Sequence, residues 1–420
     1  MLANGITYAA IGPATGWTYG NGRQLQRPLD LDYRPQAVHD PAAGGLSLGF
    51  GYDAVGSITE LKNGTGSAVL AKYAYDTLGR LTHTQDGATG TPIETYAYDA
   101  TGNRTSLTTS AGTSTYSYPA NSHHLVAVGG DARNHDAAGN TTSIGGKTFA
   151  YNDANRMNAV KLGEIVAERY GYNHRGERVL RAPEGGDAQI TVYDEAGQWL
   201  GNYSATGEAQ QQAIWLDNHP VALINVAGSG VPELAYIQPD HLGTPRVVID
   251  PVRDVAIWEW SNKTEVFGDQ APANDPDGDG VAFDLALRFP GQQATDASGM
   301  FYNYQREYDP AVGRYSQSDP IGLLGGVSTY SYVGGRVLSS VDPLGLIAYV
   351  CVKNGTNVGI SLPINFQGAS GEQVRSVSQA IEKAWTGRFG KYQVTTVVTP
   401  IARYDEVSTN AVVLRDGVGE

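Results

Sequence analysis

Three copies of one octapeptide indicate how this chain folds. Residues 52–59 read YDAVGSIT, residues 75–82 read YDTLGRLT and residues 98–105 read YDATGNRT. Successive tyrosines of these copies are 23 residues apart, and self-similarity at a fixed period is typical of a repeat architecture. Weaker copies follow at 135–140, 151–153, 172–176 and 193–197.

Each copy predicts a β-hairpin. Residues alternate with period 2 on both sides of the turn, as in 73–75 and 80–82. The aspartate can accept backbone N–H bonds, and the glycine can adopt a positive φ at the end of the turn. One hairpin of this length is marginally stable, so successive hairpins should pair edge to edge. The positions that build these turns are Tyr52, Asp53, Gly56, Tyr75, Asp76, Gly79, Tyr98, Asp99 and Gly102.

The composition also predicts a mostly β protein. The chain has 53 Gly, 20 Pro and 25 Tyr, residues that suit turns and half-buried strands with the tyrosine hydroxyl in water. A net charge of −14 argues against nucleic acid as a partner of this surface. The single cysteine, Cys351, excludes an internal disulfide.

The sequence limits the possible export routes but does not identify one. No stretch reaches the roughly 20 apolar residues of a transmembrane helix. Residues 1–20 lack the basic start and apolar run of a Sec signal. We therefore expect a chain that is cytoplasmic, or that leaves the cytoplasm by a route that reads no N-terminal signal.

The octapeptide resembles the RHS/YD repeat of bacterial RHS toxins, insecticidal toxin-complex C components and teneurins. The resemblance implies a β-strip, here residues 1–235, that spirals into a hollow shell as one continuous sheet. Complete shells of this family are much longer than 420 residues. The chain is therefore expected to be the final part of such a shell.

Residues 236–346 resemble the RHS repeat-associated core. The stretch YIQPDHLGTPR at 236–246 is similar to one family signature, and 287–346 matches the core motif by motif. Asp240 and His241 are either a proton-transfer pair or part of a tight turn. The glycine and proline that follow them favour the turn.

Two aspartates of this core are candidates for catalysis. Asp319 and Asp342 lie 23 residues apart, in Asp-Pro-Ile-Gly-Leu and Asp-Pro-Leu-Gly-Leu. Aspartic proteolysis needs two carboxyl groups that share a proton. The resemblance implies that they form such a dyad, that Arg306 orients a carboxylate, and that the cut falls between Leu346 and Ile347. Asp-Pro also starts turns and occurs six times in the chain, so a purely structural role stays open.

An acidic segment is a weak metal candidate. Asp275, Asp277 and Asp279 alternate with proline and glycine, and their carboxylates could bind Ca²⁺. The EF-hand template fails because Ala286 stands where its twelfth-position glutamate belongs. A solvated acidic turn is the favoured alternative, and no cofactor is expected.

Residues 347–420 are predicted to form a separate, small α+β module. Residues 358–366 alternate as a strand does, Ser370 and Gln373 form a capping box before an amphipathic helix, and 391–399 predict another strand. In RHS proteins this position holds a variable toxin. The resemblance implies that the shell's cargo is its own C-terminal segment, either a small toxin or the truncated front of a longer one.

Together these features predict a polymorphic-toxin shell fragment that encloses its C-terminal segment and releases it by single-turnover autoproteolysis. Delivery without a Sec signal, for example by type VI secretion, would serve bacterial competition. Secretion-apparatus and immunity proteins would then be partners. Two alternatives stay open: a non-enzymatic YD-repeat surface protein that binds glycans or proteins, and an inactive truncated relic.

Overall fold

In a computed structural model, the chain forms two compact units, Met1–Gly345 and Leu346–Glu420. Each unit is described by itself. The residues that the structure describes are 2–10, 12–226, 231–261, 263–264, 266–346, 350–353, 357–367, 370–389, 392–400 and 410–413.

The first unit is built on one long antiparallel meander. Within the described residues, 25 strands form a single sheet, and each strand pairs antiparallel with the next one along the chain. The mostly β fold with hairpins in one continuous sheet is thereby confirmed. The strands are β1 (Ala3–Tyr8), β2 (Ala14–Tyr19), β3 (Gln24–Gln26), β4 (Ala37–His39), β5 (Ser47–Tyr52), β6 (Ile58–Lys62), β7 (Val69–Tyr75), β8 (Leu81–Asp86), β9 (Pro92–Tyr98), β10 (Arg104–Thr109), β11 (Gly112–Ser117), β12 (Ala127–Val128), β13 (Asp131–His135), β14 (Thr141–Ile144), β15 (Lys147–Tyr151), β16 (Met157–Leu162), β17 (Ile165–Tyr172), β18 (Arg178–Pro183), β19 (Gln189–Tyr193), β20 (Trp199–Ser204), β21 (Ala209–Leu216), β22 (His219–Asn225), β23 (Glu233–Pro239), β24 (Pro245–Asp250) and β25 (Val255–Glu259).

The aspartate of each repeat closes its hairpin turn. Between β5 and β6, Oδ1 of Asp53 accepts hydrogen bonds from the backbone N–H groups of Val55 and Ser57, at 3.0 and 2.8 Å. Gly56 follows with φ 88°, a left-handed conformation that costs glycine little. Asp76 and Asp99 accept the equivalent pairs of bonds in the next two copies. The roles predicted for aspartate and glycine are confirmed.

The role expected for the repeat tyrosine is wrong in one respect. Its hydroxyl is not left to water but donates to a backbone carbonyl 17 residues earlier, in or beside the preceding hairpin. Tyr75 donates in this way at 2.6 Å to Ile58, which lies on the neighbouring strand β6. The tyrosine therefore ties successive hairpins together. The same bond joins Tyr52 to Pro35 and Tyr98 to Leu81.

A second, smaller sheet completes the first unit. Its four strands lie in the core segment and pair antiparallel in chain order. Two 3₁₀ helices follow, Gly322–Gly325 and Val333–Gly335. The strands are β26 (Gln293–Thr295), β27 (Met300–Asn303), β28 (Arg306–Asp309) and β29 (Arg314–Tyr315).

Aromatic rings and buried ion pairs join this small sheet to the long one. The Tyr302 ring of β27 is buried, with its centroid 6.4 Å from that of Tyr172 in β17. Glu307 forms a buried ion pair with Arg178 of β18. Asp309 is paired at 2.7 Å with Arg133 of β13. Breaking one buried pair typically costs about 3–5 kcal/mol, so these contacts hold the small sheet in one position.

The second unit is an α+β module. Its strands are β30 (Val350–Lys353), β31 (Asn357–Gln367), β32 (Gly387–Phe389), β33 (Tyr392–Pro400) and β34 (Asn410–Val413), and its described helix is α1 (Gly371–Trp385). Parallel β31 and β33 are connected through α1, which begins at the predicted Ser370–Gln373 capping box. The strand at 358–366, the helix and the described part of the strand at 391–399 are confirmed; residue 391 lies outside the described residues. No helix among the described residues is long and apolar enough to span a bilayer.

Two glycine substitutions test the turn geometry. Gly56 has φ 88° and nothing within 4 Å of an added Cβ, so Gly56→Ala should cost only backbone strain, about 1–2 kcal/mol. Gly146 is equally open but its φ lies outside the left-handed range, so Gly146→Ala should stay within about 0.5 kcal/mol of wild type or stabilise. Urea unfolding of both variants measures the difference. Equal stabilities of the two variants would contradict the left-handed conformation of Gly56.

Candidate active site

The three residues predicted for catalysis lie together. Nη2 of Arg306 is 3.0 Å from Oδ2 of Asp319 and 3.2 Å from Oδ2 of Asp342. All three side chains are almost completely buried, the most accessible being Asp319 at 3%. One guanidinium nitrogen therefore contacts both carboxyl groups away from bulk water.

Both aspartates head tight turns. The carbonyl of Asp319 accepts the N–H of Gly322 at 2.9 Å, and that of Asp342 accepts the N–H of Gly345 at 3.4 Å. The N–H of Asp319 also donates to the carbonyl of Thr329 at 2.7 Å. The two Asp-Pro segments therefore form turns, and those turns place the carboxylates against Arg306. A structural role and a chemical role of the aspartates are thus compatible.

Arg306 is itself immobilised. Its Nε donates to the carbonyl of Gly345 at 2.6 Å, and its Nη1 donates to that of Thr329 at 3.2 Å. The face of the guanidinium lies 3.5 Å from the centroid of the Tyr315 ring, a cation–π contact. Arg306 therefore holds both carboxyl groups and the backbone one residue before Leu346.

Two glycines allow the chain to approach this closely. A Cβ on Gly291 would lie 1.9 Å from the carbonyl oxygen of Pro343, and φ of Gly291 is 84°. A Cβ on Gly325 would lie 2.3 Å from Oδ2 of Asp319. Any larger residue at either position would displace one of the two aspartate turns.

The environment of Asp319 favours its protonated form. Burial raises the pKa of its carboxyl to about 6; the Arg306 cation opposes this rise, and the nearby Asp342 adds to it. A carboxyl group with this pKa can hold a proton in weakly acidic solution and still release it. That property is required of a general acid.

Two polar residues complete the site, and sequence analysis missed both. Tyr315 donates its hydroxyl hydrogen to Oδ2 of Asp342 at 2.7 Å. Nδ2 of Asn303 donates to the Tyr315 oxygen at 2.7 Å and to the backbone carbonyl of Asp342 at 3.0 Å. Both residues stand in the core motifs, but no local pattern there distinguishes them from other buried strand residues.

The arrangement suits acid–base chemistry. Two carboxyl groups share one cation, and one of them has a raised pKa. Such a pair can hold one proton between its members, leaving one carboxylate to accept a proton and one carboxyl to donate.

The predicted cleavage site is described only in part. Leu346 is buried, 9% exposed, and follows directly after the Gly345 carbonyl that Arg306 holds. Ile347 lies outside the described residues.

The other candidates have structural roles. Carboxylate oxygens of Asp275, Asp277 and Asp279 lie within 4.8 Å of one another. Nη1 of Arg253 is 2.6 Å from both Asp277 and Asp279, and Asp275 accepts backbone N–H groups at 3.1 and 3.2 Å. A guanidinium thus already pairs with two of the three carboxylates, which supports the acidic-turn interpretation over a calcium site.

Asp240 is a turn residue, as favoured from the sequence. Its Oδ1 accepts the N–H groups of Leu242 and Thr244, and its Oδ2 pairs with Arg246 at 2.8 Å. Nε2 of His241 lies 2.8 Å from the carbonyl of Leu338 instead of contacting Asp240. The repeat residues Tyr52, Asp53 and Gly56, with their later copies, lie in the hairpin turns described above.

Comparison with known proteins agrees with this fold. The Teneurin YD-shell family matches residues 42–322, about two thirds of the chain, and the chain belongs to that family. The crystal structure of TcdB2-TccC3-TEV superimposes with a TM-score of 0.64 at 22% identity, covering 82% of this chain and 19% of that one. At this identity the likeness establishes the fold alone.

Two bacterial toxins are among the sequence relatives. The toxin protein Tse5 of Pseudomonas aeruginosa is 32% identical over 137 residues, 33% of this chain and 10% of Tse5. The double-stranded DNA deaminase toxin A of Burkholderia cenocepacia is 39% identical over 111 residues, 26% of this chain and 7% of that toxin. The chain thus matches a tenth or less of either relative's length. The chain is thus a YD-repeat shell protein whose sequence is similar to parts of bacterial toxins.

Gly291→Ala tests the contact that places the Asp342 turn. The added methyl meets a backbone carbonyl at 1.9 Å, so strain and overpacking together should cost about 3 kcal/mol or more. Gly278→Ala is the matched control, since φ is 70° there and nothing lies within 4 Å; as for Gly56→Ala, about 1–2 kcal/mol is expected. Urea unfolding compares the two. Equal losses would show that the Gly291–Pro343 approach is not required.

Proposed function

We propose that this chain is part of a toxin shell that cuts its own backbone between Leu346 and Ile347. The observation that carries the proposal is the shared nitrogen of Arg306, which contacts Asp319 and Asp342 at 3.0 and 3.2 Å. Two buried carboxyl groups that lie this close together are the groups that an aspartic protease dyad uses. The site acts once on each chain, because its substrate is the chain itself.

The reaction is a hydrolysis of one peptide bond. The carboxylate of the dyad takes a proton from water, the water oxygen bonds to the carbonyl carbon of Leu346, and the protonated carboxyl gives its proton to the carbonyl oxygen. The tetrahedral intermediate then collapses. The bond to the nitrogen of Ile347 breaks, and that nitrogen takes the proton first removed from water. A hydroxyl of the intermediate returns its proton to the other carboxyl, which leaves a new carboxyl group on Leu346.

Arg306 would have two roles in this reaction. Its charge offsets the cost of burying an ionised aspartate and keeps two carboxyl groups close together. Its Nε bond to the Gly345 carbonyl holds the residue before Leu346 in place. Fixing the substrate in this manner lowers the entropic part of the barrier.

The proposal assigns three parts to the chain. Residues 1–235 form the YD strip, 236–346 the core with the protease site, and 347–420 the cargo module. The names of Tse5 and the deaminase toxin support a toxin cargo and delivery out of the producing cell. Type VI secretion, an immunity protein and a role in bacterial competition belong to the proposal as well.

Replacing either aspartate should abolish cutting. Wild-type chain should lose the 74 residues after Leu346, about 8 kDa, whereas Asp319→Asn and Asp342→Asn should stay intact because each loses one half of the dyad. Denaturing gels kept near neutral pH show the sizes, and mass spectrometry should find Ile347 as the new N-terminus.

Asp250→Asn is the control for this experiment. Asp250 also precedes proline and pairs with an arginine, Arg253 at 2.6 Å, but it lies in the long sheet and does not belong to the dyad. Its variant should still release the fragment. A wild-type chain that stays intact would contradict the protease proposal and favour the non-enzymatic YD-repeat alternative. Cutting in the Asp319→Asn and Asp342→Asn variants would exclude these two residues as the dyad.

The rate of cutting should depend on pH. Because the pKa of Asp319 is raised to about 6, its proton is present below that pH and is lost as pH rises through it. The rate should therefore fall above about pH 6, roughly tenfold per pH unit well above it. Fragment release from freshly translated chains, followed from pH 4 to 8, measures this limb. A flat rate between pH 5 and 8 would exclude Asp319 as the acid.

A further inference from the structure

The two aspartates of the site are not equivalent in their surroundings. Oδ2 of Asp342 accepts from Arg306 at 3.2 Å and from the Tyr315 hydroxyl at 2.7 Å. Asp319 contacts the same Arg306 nitrogen, and its other oxygen accepts the backbone N–H of Ile321 at 3.0 Å. Among the described residues, a buried side-chain hydroxyl is therefore bonded to Asp342 and not to Asp319.

The direction of the Tyr315 hydrogen follows from Asn303. Nδ2 of Asn303 contacts the backbone carbonyl of Asp342, which can only accept, so the amide nitrogen must face that way. The same nitrogen lies 2.7 Å from the Tyr315 oxygen and donates to it. The single hydroxyl hydrogen of Tyr315 is then directed at Oδ2 of Asp342.

The protein environment keeps this donor in place. Asn303 and Tyr315 are 0% and 1% exposed, and the Tyr315 ring also covers the Arg306 guanidinium. Burial, and next the negative charge of Asp342, raise the pKa of the Tyr315 phenol well above its usual value. The phenol therefore remains protonated at any pH at which the site would work.

We propose that Tyr315, oriented by Asn303, is a positioning residue that keeps Asp342 ionised. It thereby makes Asp342 the base and Asp319 the acid of the self-cleavage reaction, an assignment that rests on the function proposed above. Two donors on Oδ2 favour the ionised carboxylate over the neutral carboxyl group, because hydrogen bonds to the charged acceptor are the stronger ones. The raised pKa of Asp319 is consistent with the same division of roles.

Tyr315→Phe in the full chain tests the assignment, since it removes the hydroxyl and keeps the ring over Arg306. Losing one hydrogen bond to a charged group should slow fragment release roughly 10- to 100-fold. The acidic limb of the pH–rate profile should also move up by about one pH unit, because the base loses a donor that favours its charged form. The decrease of the rate above about pH 6 should remain at the same pH.

Tyr308→Phe is the matched control. Tyr308 lies opposite Tyr315 in the same small sheet, is fully buried, and donates its hydroxyl to the carbonyl of Phe267 at 2.7 Å. This variant loses a buried hydroxyl of the same kind outside the dyad. Its rate should remain within about twofold of wild type and its pH profile should not move, since it removes no interaction with the reacting groups.

A second substitution tests the same idea without removing an atom. Tyr315 replaced by 3-fluorotyrosine has a more acidic phenol and is a stronger donor, so the acidic limb should move to lower pH. This variant decides the question if Tyr315→Phe does not fold, as judged by its unfolding midpoint beside that of Tyr308→Phe.

The outcomes separate the two proposals. Wild-type cutting that needs Asp342, combined with an unchanged rate and profile in Tyr315→Phe, overturns only the role of Tyr315. If 3-fluorotyrosine leaves the acidic limb of the pH–rate profile in place, or moves it to higher pH, the role of Tyr315 is likewise overturned. A wild-type chain that never cuts overturns the protease and the positioning role together.

Discussion

The buried Arg306 guanidinium is the interaction on which the core depends. It contacts two aspartates, two backbone carbonyls and one aromatic ring at once. A cation removed from water is tolerated only when opposite charges and hydrogen bonds replace its hydration. The two Asp-Pro turns, the glycines that let them approach and the Tyr315 ring are all arranged around that requirement.

The long sheet supplies the rigid support for this site. In the repeat copies, backbone N–H groups that donate to the aspartate close the hairpin turn, and the tyrosine hydroxyl ties that hairpin to the one before it. Buried ion pairs then connect β13 and β18 to the small sheet that carries Arg306. The repeat therefore positions the chemistry without taking part in it, as expected of a site whose side chains are locked by packing.

Much of the fold was predictable because its determinants are short-range. The turn bonds of Asp53 and Asp76 span two to four residues, and the capping box of α1 spans three. The dyad and Arg306 were predicted through a family resemblance, and the structure brings these three residues together. Spacing alone did not separate Asp319 and Asp342 from the other Asp-Pro turns of the chain.

The sequence by itself determined the hairpins, their period and the continuous sheet, since each depends on contacts between near neighbours. Only the tertiary structure decided which carboxyl groups meet. Asp342 reaches Arg306 across 36 residues and Tyr315 across 27. It likewise decided that Asn303 directs the Tyr315 hydroxyl and that the repeat tyrosines bond to the preceding hairpin. Such partners are chosen by the packing of distant segments, which no local pattern records.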